Sequence, residues 1–136
     1  MTSIGAGAFS SCWNLKSVVI PEGITSIGNS TFSDSGITSV IIPEGVTSIG
    51  NYVFSGCDLT SIELPESLRS LGEGVFSYCY DLKSISIPAG VTRIESGAFN
   101  GYDGIIRVVS GMMKRDDYMM EDSYLLRCLV RLNVMI

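Results

Sequence analysis

Three of the four cysteines, Cys12, Cys57 and Cys79, each follow a phenylalanine by three residues, and their thiols have the most reactive chemistry in the chain. A thiolate can attack a carbonyl, bind a metal or form a disulfide, but each role needs a base, a second ligand or a partner thiol. The sequence contains no histidine, the commonest general base and metal ligand. It contains no C-x-x-C pair either. The equivalent place after Phe32 holds Ser35, and a thiol interchangeable with a hydroxyl reads as a small packed side chain. The alternative, a disulfide or metal shared by Cys57 and Cys79, stays open at this level. Cys128 stands apart from the pattern and is uninformative.

Glu22, Glu44 and Glu66 each follow a proline by one residue. Stacked in a row they could hold calcium, but the ordinary role of such a row is a charged, solvated edge that resists aggregation. The fifteen glycines are spread along the chain and never form a phosphate-cradling loop. Asn29-Ser30-Thr31 matches a glycosylation acceptor, a frequent chance match that matters only in a eukaryotic secretory pathway. Catalytic, metal and cofactor sites are therefore not expected, and the chain does not read as an enzyme.

At 136 residues, 46% of them hydrophobic, the chain is long enough for one domain with a buried core. Nine basic residues against fourteen acidic ones give a net charge of -5, so no basic stripe is available for nucleic acid. Arg127 and Arg131 interrupt the most apolar stretch, which excludes a membrane-spanning helix there. The first residues lack the basic start and apolar core of a secretory signal. Residues 1–101 hold four basic residues (Lys16, Arg69, Lys83, Arg93) against nine acidic ones, whereas 102–136 hold five of each and five of the six methionines.

What must position these side chains is an internal repeat of 22 or 23 residues. Copies begin at Ile4, Ile27, Ile49, Leu71 and Ile94; phenylalanine recurs at 9, 32, 54, 76 and 99, and proline at 21, 43, 65 and 88. Each copy runs I-G-x-x-x-F-x-x-C, a short loop, then L-x-x-I-x-I-P-x-x-V. The length change always falls in the loop: two residues in copies one and four (Trp13-Asn14, Tyr80-Asp81), one in copies two and three (Gly36, Asp58). Insertions settle on exposed backbone, so this is a surface loop. Alternation around Val18-Val19-Ile20, Val40-Ile41-Ile42, Ile62-Glu63-Leu64 and Ile85-Ser86-Ile87 predicts a half-buried strand ended by proline. Gly28, Gly50 and Gly72 are expected in a left-handed turn, and the stretch around each phenylalanine in one helical turn. One copy cannot bury its own apolar face, but stacked copies can, with parallel strands about 4.8 Å apart in one sheet and Phe32, Phe54 and Phe76 in a continuous interior stack.

The motif I-G-x-x-x-F-x-x-C-x-x-L-x-x-I-x-I-P closely resembles the BspA-like, or treponemal-type, leucine-rich repeats over residues 1–101. The resemblance implies a leucine-rich-repeat solenoid, a β-rich right-handed superhelix with one parallel strand and a short helical turn per coil. It also implies a class of function: members are typically surface proteins of bacteria and some protists that mediate adhesion to host or neighbouring-cell proteins.

The pattern weakens in copy five, where Glu95 replaces the glycine, Tyr102 takes the cysteine place, and Ser110-Gly111 stands where an apolar residue and proline are due. The expected division is a solenoid over 1–111, starting in mid-repeat, and a non-repeat tail over 112–136. In the tail Leu125, Leu129, Leu132 and Ile136 share a helical face, so it is either a capping helix or a disordered extension. The mid-repeat start points to a fragment of a longer array or to end-to-end self-association. Ser17, Ser39, Ser61 and Ser84 repeat without change, whereas Val19, Ile41, Glu63 and Ser86 vary from copy to copy. That variable outward column, with Lys16 and Lys83 beside it, is the candidate protein-binding strip; strand propensity of the β-branched residues is the other reading. The expected function is a protein-binding module of a cell-surface adhesin, with an intracellular scaffold or the repeat part of a larger multidomain protein as alternatives.

Overall fold

A two-residue pair at the start of each copy (Ser-Ile in the first three, Ser-Leu and Arg-Ile in the last two), and not the longer apolar run, builds the continuous sheet. A computed structural model of the chain describes residues 2–102 and, as backbone, 105–108. The strands are β1 (Ser3–Ile4), β2 (Ser17–Val19), β3 (Ser26–Ile27), β4 (Ser39–Ile41), β5 (Ser48–Ile49), β6 (Ser70–Leu71), β7 (Ser84–Ile87), β8 (Arg93–Ile94) and β9 (Ile105–Val108). Five of them form one parallel sheet in the order β1-β3-β5-β6-β8, Ser pairing with Ser and Ile with Ile or Leu until Arg93 pairs with Ser70. Each copy thus contributes one coil of a solenoid, and the expectation of a single strand row per coil is corrected to two.

The second row lies where the alternating apolar segments predict strands, but it is broken. β2 pairs with β4, placing Val19 opposite Ile41, and β7 pairs with β9. Between these two ribbons Ser61–Leu64 forms no strand and takes part in no backbone hydrogen bond, the nearest being Thr60 N–H to the Thr38 carbonyl at 3.1 Å. Ile62 and Leu64 are accordingly half-buried, whereas Val40, Ile42, Ile85 and Ile87 at the same places in neighbouring coils are buried.

Around each phenylalanine the predicted helical turn is replaced by backbone that bonds alternately along and across the coils. In copy two the amides of Ser30, Phe32 and Asp34 donate to the carbonyls of Asn51, Val53 and Ser55 in the next coil, at 2.8, 3.1 and 2.8 Å. Those of Ser33 and Ser35 donate three residues back, to Ser30 and Phe32. Two residues on either side of each phenylalanine are left-handed: Gly7 and Ser11, Ser30 and Asp34, Tyr52 and Gly56, Gly74 and Tyr78, Gly97 and Gly101. Such a residue with a side chain costs roughly 1–2 kcal/mol, and here the inter-coil bonds offset it.

Gly28, Gly50 and Gly72 are not among the left-handed residues, which corrects the role expected for them. Their need for glycine is close approach between coils. A Cβ on Gly28 would lie 2.7 Å from both the Ala6 nitrogen and the Ile4 carbonyl oxygen, and one on Gly50 would lie 2.9 Å from the Ile27 carbonyl oxygen.

The rings of Phe9, Phe32, Phe54 and Phe76 stack at centroid spacings of 5.6, 5.8 and 5.7 Å with planes within 8° of parallel. Phe99 extends the column at 5.7 Å, and Tyr102 tilts against it at 5.6 Å. Both are fully buried, so the weakened motif of copy five does not open the core. The Glu95 amide still donates to the Leu71 carbonyl, at 3.0 Å, as Gly72 does to Ile49. The tail over 112–136, its proposed helix and Cys128 lie outside the described residues. Among the described residues no helix is long and apolar enough to cross a membrane.

Candidate protein-binding surface

The thiols resolve into packing. Cys57 Sγ donates to the Phe32 carbonyl oxygen at 2.9 Å, and Cys79 Sγ to that of Phe54 at 3.1 Å. Each phenylalanine carbonyl also accepts the amide three residues on, so the column supplies a second donor to a buried acceptor. Ser35 lies in the same slot with its hydroxyl 3.6 Å from Cys57 Sγ. Burial pushes the Cys57 thiol up and the Cys79 thiol up to about 12, so neither is a thiolate at neutral pH. Both cysteines are free and buried, and Cys12 is free and half-buried. Among the described residues no group of three or more side chains is arranged to hold a metal.

The glutamate row is partly structural. Glu44 accepts from the backbone amides of Glu66 and Ser67 in the next coil, at 3.1 and 3.2 Å, tying two turns together from the rim. Thr31 of the glycosylation-like triplet is fully buried, its hydroxyl bonded to the carbonyls of Gly28 (2.7 Å) and Gly5 (3.1 Å). Asn29 Oδ1 accepts the Asn51 amide at 2.8 Å, and Asn51 Oδ1 accepts that of Glu73 at 2.9 Å. This asparagine ladder escaped the sequence reading, although asparagine directly after glycine in adjacent copies is its visible trace.

The variable outward column is exposed throughout: Val19 (70%), Ile41 (62%), Glu63 and Ser86. Parallel register sets Val19 directly beside Ile41, with Glu63 in the unpaired segment and Ser86 on β7 opposite Arg107. Lys16 and Lys83 are exposed just before β2 and β7, and the Lys16 ammonium donates to the Trp13 carbonyl at 3.4 Å. Where the row is broken, two shallow grooves open beside Ser61–Leu64. One, of about 340 Å³, lies between it and β4 and is lined by Val40, Ile41, Ile42, Ile62 and Glu63 among others. The other, of about 290 Å³, lies on the far side and includes Leu64, Ser86 and Pro88. No sequence signal marked these grooves.

The fold has solved counterparts. The chain is 36% identical to a leucine-rich repeat protein from Bacteroides ovatus, with a TM-score of 0.73 over 84% of this chain and 30% of that one. A leucine-rich repeat protein from Eubacterium ventriosum is 34% identical with a TM-score of 0.74, over 82% and 30%. The T. pallidum leucine-rich repeat protein is 28% identical with a TM-score of 0.72, over 78% and 51%. The chain therefore spans about half or less of the length of these proteins. Curated proteins give no significant sequence match. The family model described as a BspA type leucine rich repeat region matches residues 2–115 in six copies. With that match covering most of its length, the chain belongs to the BspA-type leucine-rich repeat family.

Proposed function

We propose that the chain is the non-catalytic, protein-binding part of a cell-surface adhesin, and that it recognises its partner through the column Val19, Ile41, Glu63 and Ser86 flanked by Lys16 and Lys83. The observation that carries this reading is the exposure of Val19 and Ile41 side by side, next to a groove that leaves Ile62 half-buried. Apolar side chains that can be desolvated at the centre of a contact supply most binding energy, and a charged rim adjusts rate and salt dependence. A leucine rich cell surface protein from Faecalibacterium prausnitzii, 28% identical with a TM-score of 0.61 over 79% of this chain and 39% of that one, supports the surface location.

The test is binding of the purified chain to an array of host extracellular proteins, followed by affinity measurement on any protein captured. Val19→Ser with Ile41→Ser is expected to weaken binding by at least about tenfold. Glu22→Gln with Glu66→Gln, which leaves the inter-coil bonds of Glu44 in place, is expected to change mainly its salt response. Loss of binding with the glutamate pair and retention with the apolar pair would assign recognition to the rim instead.

A further inference from the structure

The loops of copies one and four are one residue longer than those of copies two and three, and the difference shapes the edge of the solenoid next to the strand face. Trp13 projects at one end, 72% exposed, and Tyr80 at the other, 69% exposed, with Tyr78 tilted against it at 6.2 Å. Between them a surface depression of about 330 Å³ is lined by Trp13, Asp34, Ser35, Gly36, Gly56 and Asp58. Gly36 is held open by need: a Cβ there would strike the Trp13 carbonyl oxygen and lie 3.0 Å from Lys16 Nζ. Asp34 and Asp58 are exposed, and neither has an ion pair; among the described residues the ion pair is Arg93 with Glu95. Lys16 is bonded to the Trp13 backbone carbonyl, its ammonium beside Gly36, and forms no ion pair with Asp34 or Asp58.

An exposed indole beside two unpaired carboxylates, on a coil array with nine acidic and four basic residues over 1–101, has the chemistry of a guanidinium site. Arginine stacks its plane on an aromatic face and pairs its N–H fork with carboxylates at once, which a neutral ligand cannot do. Tyr80, with Asp81 next to it, lies three coil steps from Trp13 and two from Gly36, about 14 and 10 Å at the usual strand spacing. Side chains four residues apart in an extended peptide point the same way and are about 13 Å apart. We propose that this edge binds an extended cationic segment of a partner protein, one arginine between Trp13, Asp34 and Asp58 and a second, four residues away, over Tyr80 and Asp81. This surface is separate from the outward strand column, and either can fail without the other.

Trp13 is the single tryptophan of the chain, so its emission reads the site directly. The probe is the acetylated, amidated peptide Arg-Gly-Ser-Gly-Arg, titrated at low ionic strength against the same peptide with glutamine for both arginines. The expected result is a saturable change in Trp13 emission with the arginine peptide alone, fading as salt rises. Asp34→Asn with Asp58→Asn is expected to weaken it at least about tenfold; asparagine is at ease in the left-handed conformation of residue 34, and an unchanged urea midpoint confirms that the variant folds. Val19→Ser with Ile41→Ser is expected to leave the titration unchanged. No emission change with the arginine peptide, an equal change with the glutamine peptide, or undiminished binding by the asparagine variant overturns the proposal. So does a neutral xylo-oligosaccharide that changes the emission when the arginine peptide does not, since that result makes the depression a sugar site.

Discussion

A buried thiol whose proton is held in place changes how the protein meets alkali. Cys79 titrates near 9.0 in an unfolded chain and, through burial, at about 12 in the folded one. Its contribution to stability is therefore whole below pH 9, because both states keep the proton, and falls as pH rises toward 12, where the unfolded state alone releases it. Urea midpoints measured from pH 8 to 11 should decline, and Cys79→Ser should flatten that decline by removing the titrating group. Native-state labelling at pH 8 should reach Cys12 first and Cys57 and Cys79 only on unfolding. Glycines divide in the same residue-by-residue way. Gly50→Ala places a methyl against the Ile27 carbonyl and Asn29 side chain and should cost roughly 1–3 kcal/mol, the range for overpacking. Gly5→Ala meets nothing within 4 Å and is not left-handed, so its free energy of unfolding should stay within about 0.5 kcal/mol of the parent.

At the level of elements, the break at Ser61–Leu64 splits the second strand row into two ribbons. Amides of this segment lack the bonds that protect those of β7, so hydrogen exchange at residues 61–64 should run well ahead of exchange at 84–87. Equal protection in the two segments would show a continuous row. The sequence made the phenylalanine stack legible because each ring meets its counterpart one period away, and nothing else in the chain has that spacing and size. It did not reveal the break, since Ile62-Glu63-Leu64 alternates as cleanly as Ile85-Ser86-Ile87. The alternating turns were hidden for another reason: their left-handed places hold Ser11, Ser30, Asp34, Tyr52 and Tyr78 as well as glycine, so inter-coil bonding overrides local preference there. In two of these cases the tyrosine ring covers a glycine one coil on, Tyr52 over Gly74 and Tyr78 over Gly101. Of the candidate strip, its exposure was legible from the copy-to-copy variation, whereas the grooves beside it depend on the unannounced break.

Across the whole molecule, inward columns hold the coils together and the outward strand column is left free to vary. Phe54 is fully buried between two parallel rings, whereas Val19 and Ile41 each face solvent. Truncating Phe54 removes a core ring from an array that has few to spare, at a cost of about 3–5 kcal/mol. Phe9→Ala should cost less, because that ring is already 41% exposed. Replacing Val19 and Ile41 with serine sacrifices strand propensity alone, less than about 1 kcal/mol at each place. The most direct measurement is the free energy of unfolding in urea for the Val19→Ser, Ile41→Ser variant set against Phe54→Ala. The expected result is a folded double variant with a midpoint close to the parent and a large loss for Phe54→Ala; a double variant as unstable as Phe54→Ala would show that the outward column holds the fold and is not free for recognition.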